Sequence, residues 1–137
     1  MGSYRLKSFK LDGQSFNVLY VRTDQVTAEV ECDIYALVGD DGRDLGVVRV
    51  RAGHRTPLQR VVGGEKTIER YIAGTGTLTV VGVDQRVTEH RFPSDQPQDV
   101  IVAIGETMQW TADKNSDLTF YEICEPPYQD GRFIDLA

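Results

Sequence analysis

The stretch Pro57-Leu58-Gln59-Arg60-Val61-Val62-Gly63-Gly64-Glu65-Lys66-Thr67-Ile68-Glu69-Arg70-Tyr71-Ile72-Ala73-Gly74-Thr75-Gly76 decides the fold of this chain. Two short runs of strand-forming residues flank Gly63-Gly64, and Gly74-Thr75-Gly76 leads directly into Thr77-Leu78-Thr79-Val80-Val81. On its own chemistry the segment reads as a three-strand meander. Its unusual residue is Glu69, a carboxylate set among Ile68, Tyr71 and Ile72, which must face either solvent or a polar pocket.

Working outward, the same period of two recurs on both sides. Before the meander, residues 4–21 alternate loosely through Leu6, Phe9, Leu11, Phe16, Val18 and Tyr20, and Asp12-Gly13 marks a turn between two short strands. Residues 23–27 suggest a brief helical turn capped by Thr23 or Asp24. Val30, Cys32, Ile34 and Ala36 then share one strand face, with Glu29, Glu31, Asp33 and Tyr35 on the other, and Asp40-Asp41-Gly42-Arg43 turns the chain into a hairpin partner over residues 45–51. After the meander come a strand over residues 84–92, a loop at Pro93-Ser94-Asp95-Gln96-Pro97, and the apolar run Val100-Ile101-Val102-Ala103-Ile104. Residues 107–111 and 118–124 complete the strands, Pro126-Pro127 stops the last, and a polar tail from Tyr128 remains, while Met1-Gly2-Ser3 reads as ragged. About ten short strands separated by Gly, Asp and Pro, with no long helical pattern, predict an all-β barrel or sandwich. The Cys, Trp, Cys order of an immunoglobulin sandwich is missing, so a jelly roll fits better.

At 137 residues the chain is expected to be one domain, long enough to bury roughly two thirds of the surface it exposes when unfolded. Its net charge of −6 and scattered basic residues argue against a nucleic-acid partner. No apolar run approaches the roughly 20 residues needed to cross a bilayer, so no membrane association is expected and a cytoplasmic location is. Cys32 and Cys124 each lie in an apolar strand pattern and read as buried, reduced thiols.

Two segments carry a resemblance. Gly53 with Thr56-Pro57-Leu58-Gln59-Arg60, followed by the Gly74-Thr75-Gly76 turn and its strand, resembles the first motif of the cupins. Ile104-Gly105-Glu106-Thr107-Met108-Gln109-Trp110, with residues 120–128 beyond it, is similar to the second motif and the closing strand. The resemblance covers residues 45–130 of a single cupin-like domain over 1–137. It implies a jelly-roll β-barrel with extra N-terminal strands in residues 4–36. Metal-binding cupins place two histidines, a glutamate and a further histidine inside the barrel, and the matching positions here are Gln59, Val61, Thr67 and Met108. An amide, a pair of methyls, a hydroxyl and a thioether would hold a divalent cation very weakly, so neither a metal nor another cofactor is expected. His54 and His90 lie apart, in a loop and in a separate strand, and do not replace the missing set.

Alternation carries the inward direction from Thr67 to Glu69 and Tyr71, and from Met108 to Trp110, while Phe120, Glu122 and Cys124 share one face of the last strand. A barrel so lined suits a small polar metabolite with an apolar face, plausibly a carbohydrate, with Gln59, Val61, Thr67, Met108 and Trp110 as ligand-binding positions. An alternative is a metal-independent isomerase or epimerase in which Glu69 or Glu122 is a general base and Tyr71 a proton donor. A ligand-sensing accessory protein is a third reading. Against a catalytic Glu69 stands a structural one, in which it pairs with Arg60 or Arg70 at the barrel mouth. Ile68, Ile72, Tyr121 and Ile123 fall on the outer face and require cover, from residues 4–36 of this chain or of a second copy. Cupins resembling this one commonly pair through such a contact, which implies a homodimer.

Overall fold

The computed structural model describes residues 5–95, 99–125 and 133–136. The expectations for Met1-Gly2-Ser3, Gln96-Pro97 and Pro126-Pro127-Tyr128 lie outside these residues. The strands are β1 (Ser8–Leu11), β2 (Gln14–Thr27), β3 (Val30–Leu37), β4 (Asp40–Val50), β5 (Leu58–Val61) and β6 (Lys66–Gly74), followed by β7 (Gly76–Val81), β8 (Val87–Phe92), β9 (Asp99–Ala103), β10 (Thr107–Ala112), β11 (Leu118–Glu125) and β12 (Phe133–Leu136). No helix among the described residues is long and apolar enough to cross a membrane.

The strands form two antiparallel sheets, one of seven in the order β1-β2-β3-β4-β11-β6-β9 and one of five in the order β12-β5-β10-β7-β8. From β5 onward the chain crosses between them: β5 lies in the smaller sheet, β6 in the larger, β7 and β8 in the smaller, β9 in the larger, β10 in the smaller and β11 in the larger. This is the all-β jelly roll that the strand pattern predicts.

The crossings correct the meander. β5 pairs with β10 and β12, β6 with β11 and β9, and β7 with β10 and β8, so no two of β5, β6 and β7 are hydrogen-bonded neighbours. Gly63-Gly64 and Gly74-Thr75-Gly76 are corners between sheets rather than hairpin turns. Period-two alternation identifies a strand and its inward face, but the partner is chosen by long-range packing.

Between the sheets lies the main core, with Val30, Cys32, Ile34, Val48, Val50, Leu118 and Phe120 of the larger sheet facing Val61, Leu78, Val80, Phe92, Met108, Trp110 and Ala112 of the smaller. A second core fills the far side of the larger sheet, where Phe9, Leu11, Phe16 and Val18 of β1 and β2 cover Tyr35, Leu37, Leu45, Val47, Ile68 and Ile123, with Tyr121 packed alongside. The central strands therefore bury both faces, which is why they are apolar on both. The outer face at Ile68, Tyr121 and Ile123 is thus covered by the chain's own N-terminal strands, and only Ile72 of the expected set is left 37% exposed.

Other local expectations shift. Residues 23–27 are no helical turn but the end of β2, whose pairing with β3 continues from Val18↔Leu37 through irregularities to Thr27↔Val30. Asp24 is thereby carried alongside Cys32 on the inner face. The β3–β4 hairpin forms as expected, although its turn falls at Val38-Gly39, with Gly39 at φ +86°. Tyr35 turns into the second core, Asp33 is buried on the same side, and Ala36 is exposed. The polar tail contains β12, which pairs with β5 from Phe133↔Val61 to Leu136↔Leu58. Cys32 and Cys124 are buried and no disulfide joins them.

Candidate functional site

Four aromatic rings from four strands stack through the middle of the barrel. Tyr71 of β6 lies 5.1 Å from Phe92 of β8, Phe92 lies 5.5 Å from Trp110 of β10, and Trp110 lies 4.2 Å from Phe120 of β11. Each such pair contributes about 0.5–1.5 kcal/mol beyond the area it buries. The stack ties the two sheets together and fills the space that a deep barrel cavity would occupy. The Tyr71 hydroxyl, in turn, donates to the Gly74 carbonyl at 2.6 Å.

Glu69 sits beside this stack with no solvent exposure. Its Oε1 accepts a hydrogen bond from the Trp110 indole Nε1–H at 2.9 Å, while Oε2 meets no hydrogen-bond partner among the described residues. Directly across the ladder, Glu122 of β11 is its register partner. Burial first, and the Glu122 carboxylate second, hold the Glu69 carboxyl well above the usual carboxylate range, and the indole N–H offsets them only partly. The protonated form of Glu69 is therefore favoured to higher pH than that of an ordinary carboxyl. The Arg pairing expected for Glu69 does not form: Arg70 instead grips Asp99, with Nε 2.6 Å from Oδ1, and Glu69 takes the indole. Alternation on β6 explains the difference, since Arg70 follows Glu69 and points to the opposite face.

At one mouth of the barrel, adjoining Trp110 and Phe120, lies a pocket of about 110 Å³. Its polar wall holds Asp24, Cys32, Thr56, Gln59 and Glu122, and its apolar wall includes Ile34, Val48, Met108, Trp110, Phe120 and Phe133. Of the residues singled out in the sequence, Gln59, Met108, Trp110 and Glu122 meet in this pocket. Val61, Thr67 and Glu69 are wholly buried without lining it, and Tyr71 lies farther along the stack. The sequence reading missed Asp24, because β2 was expected to end in a helical turn, and Phe133, because β12 looked like a tail. A larger groove of about 600 Å³ lies elsewhere, lined by Gln25, Glu31, Arg49 and Thr119 among others. Arg49 there binds Glu31 at 2.8 Å and Asp33 at 3.1 Å, so its central cation is already engaged.

Neighbouring charges also act on Cys32. Burial first, then the carboxylates of Glu122 and Asp24, push its thiol far up, so it stays protonated and is no nucleophile at neutral pH.

Against known proteins, no family model and no curated sequence matches this chain. Solved structures do. Bacillus subtilis oxalate decarboxylase, an enzyme with Mn(II) centres, superposes with a TM-score of 0.65 at 17% identity, over 80% of this chain and 29% of that one. CapF, solved with the inhibitor 3-isopropenyl-tropolone, gives 0.66 at 14% identity over 87% of this chain and 34% of its own. The 7S globulin of Momordica charantia gives 0.63 at 12% identity over 85% and 34%. All three are cupin-fold proteins. The chain has the cupin fold. It spans about a third of the length of these cupins, and at such identities the likeness extends to architecture alone.

The manganese of oxalate decarboxylase raises the question of whether the residues of this chain fit such an ion. At the positions matching the cupin ligand pattern, Gln59 and Met108 are register partners on β5 and β10, Val61 is fully buried, and Thr67 lies across the barrel on β6. Among the described residues no group of three or more His, Cys, Asp or Glu side chains is placed to hold a metal. His54 stands at the surface, with Nδ1 3.6 Å from Glu29. Mn(II) prefers carboxylate, carbonyl and imidazole donors, and this set does not fit it.

Proposed function

We propose that this cupin binds a small polar metabolite at the mouth of its barrel without a metal ion. The observation that carries the reading is the pocket of about 110 Å³, where Gln59 and Glu122 supply polar contacts against the apolar wall of Met108 and Phe120. Its size suits a small molecule rather than an oligomer. A carbohydrate is the less favoured ligand: Trp110 is 1% exposed and already stacked on two rings, so it offers no open face to a sugar. A ligand-observed NMR screen tests the proposal, with Met108→Trp as the control. Hits on the native chain should weaken at least tenfold in that variant, whereas undiminished binding would place the ligand elsewhere.

A second reading, acid–base catalysis, is favoured by the Glu69–Glu122 pair. Glu122 lines the pocket, so Glu122 would accept a proton from the substrate while Glu69 holds one behind it. The test is deuterium uptake from solvent into a bound ligand, which Glu122→Gln should abolish. We further propose a homodimer, formed over the apolar strip of Leu19, Val21 and Val38, which are 62%, 53% and 48% exposed. Light scattering should then report twice the 15.3 kDa chain mass, and a monomer at micromolar concentration would reject it.

A further inference from the structure

We propose that the groove beside the turn at residues 82–86 is a second ligand site, one for a small carboxylate carrying a branched aliphatic chain. The groove has a volume of about 370 Å³, and Arg60, Val81, Val83, Gln85 and Thr107 supply its side chains. Arg60 and Thr107 are register partners on β5 and β10. Each is the sequence neighbour of a residue of the mouth pocket, Gln59 or Met108, so alternation turns both to the opposite face of the smaller sheet. The groove is thus separate from the mouth pocket.

The turn carries the first sign of use. Gln85 has φ +70°, and the other non-glycine residue at a positive φ among those described is Asp12, in the Asp12-Gly13 turn. Aspartate can bond locally at such an angle and glycine adopts it freely, whereas glutamine gains neither advantage. A strained residue that glycine would relieve, lining a groove, points to a use for its side chain. The Gln85 N–H donates to the Gly82 carbonyl and the Gly82 N–H to the Arg86 carbonyl, both at 2.9 Å, which holds the turn in this shape. In the same turn Val83 is 72% exposed, the highest value among the described large hydrophobic side chains.

Arg60 supplies the charge. It is exposed and makes no ion pair or side-chain hydrogen bond with a described residue, whereas Arg22, Arg43, Arg49, Arg70 and Arg91 all bind carboxylates. A guanidinium recognises a carboxylate through two parallel hydrogen bonds, which select for both charge and orientation. The carboxylates beside Gly82 are engaged with the backbone instead. Asp84 Oδ1 accepts from the Arg86 N–H at 3.0 Å, and Glu106 Oε1 accepts from the Ala103 N–H at 2.8 Å. With the ligand's carboxylate on Arg60, a short branched chain would cover Val81 and Val83, and the Gln85 amide and Thr107 hydroxyl add further donors.

Amide NMR of nitrogen-labelled protein tests the site with isovalerate, isoamyl alcohol and isoamylammonium, three probes that share one aliphatic body. Isovalerate is expected to shift the Gly82, Gln85 and Gly105 amides and to bind at least about tenfold more tightly than the alcohol or the ammonium. Arg60→Gln should remove that preference, and because Arg60 is exposed the variant keeps the fold. Gln85→Gly should weaken isovalerate while melting no lower than the native chain, since glycine releases the strained angle. Equal binding of the three probes, a preference that survives Arg60→Gln, undiminished binding in Gln85→Gly, or no shift at millimolar concentration would each overturn the groove site. Shifts confined to Met108 and Phe120 would overturn it too, by sending the carboxylate to the mouth pocket. The mouth-pocket reading stands or falls separately, on its own Met108→Trp variant.

Discussion

Glu69 is a carboxyl enclosed on all sides and set opposite a second one. Its pKa in the folded chain lies well above the ordinary value of 4.5 that it regains on unfolding. The folded state thus holds a proton that the unfolded state releases. Stability from this group is complete below pH 4.5 and is lost as pH rises from there through the raised folded value, with a slope of up to about 1.4 kcal/mol per pH unit. Glu69→Gln mimics the protonated form at every pH. Urea unfolding between pH 4 and 8 should show a flatter profile for the variant and a stability at pH 7 equal to or above that of the native chain. A clear loss at pH 7 would mean that Glu69 is ionised and usefully paired. That a carboxylate in this strand would face inward was legible from alternation; that its partner would be an indole and another carboxyl rather than arginine was not, because β10 and β11 lie about 40 or more residues away and reach it only through the fold.

At the scale of elements, the corner at Gly74 shows how local sequence and distant packing divide the work. Gly74 has φ +91°, and a Cβ placed there would lie 1.8 Å from the Asp117 carbonyl oxygen at the start of β11. The glycine is needed both for its backbone angle and for the approach of a strand more than 40 residues on. Gly74→Ala should cost about 3 kcal/mol or more, measured by urea unfolding, since both the strain and the clash must be relieved by moving backbone. A cost below about 1 kcal/mol, the size of an entropy effect alone, would show that the corner can open. The sequence marked this glycine as a turn, which is correct as far as direction goes. It could not distinguish a hairpin from a crossing, because both need the same residue.

For the whole molecule, the fold is shared with oxalate decarboxylase, an enzyme with Mn(II) centres, while the positions matching the cupin ligand pattern hold Gln59, Val61, Thr67 and Met108 here. Chain produced in medium supplied with Mn(II) should carry far less than one equivalent by elemental analysis, and chelation should leave its melting temperature unchanged. A stoichiometric ion whose removal lowers that temperature would refute the donor-set argument. The strand pattern, the inward faces of β6, β10 and β11, the need to cover Ile68 and Ile123, and the unsuitable donors at Gln59, Val61, Thr67 and Met108 were determined by the sequence itself, because each depends on residue chemistry and a period of two. Tertiary structure alone decided which strands became neighbours, that β1 and β2 of the same chain cover the outer face, and that an aromatic stack fills the centre and confines the pocket to one mouth. It also brought Asp24 and Phe133, from opposite ends of the chain, to that mouth. These are contacts between residues far apart in sequence, selected by packing and register, and no local pattern encodes them.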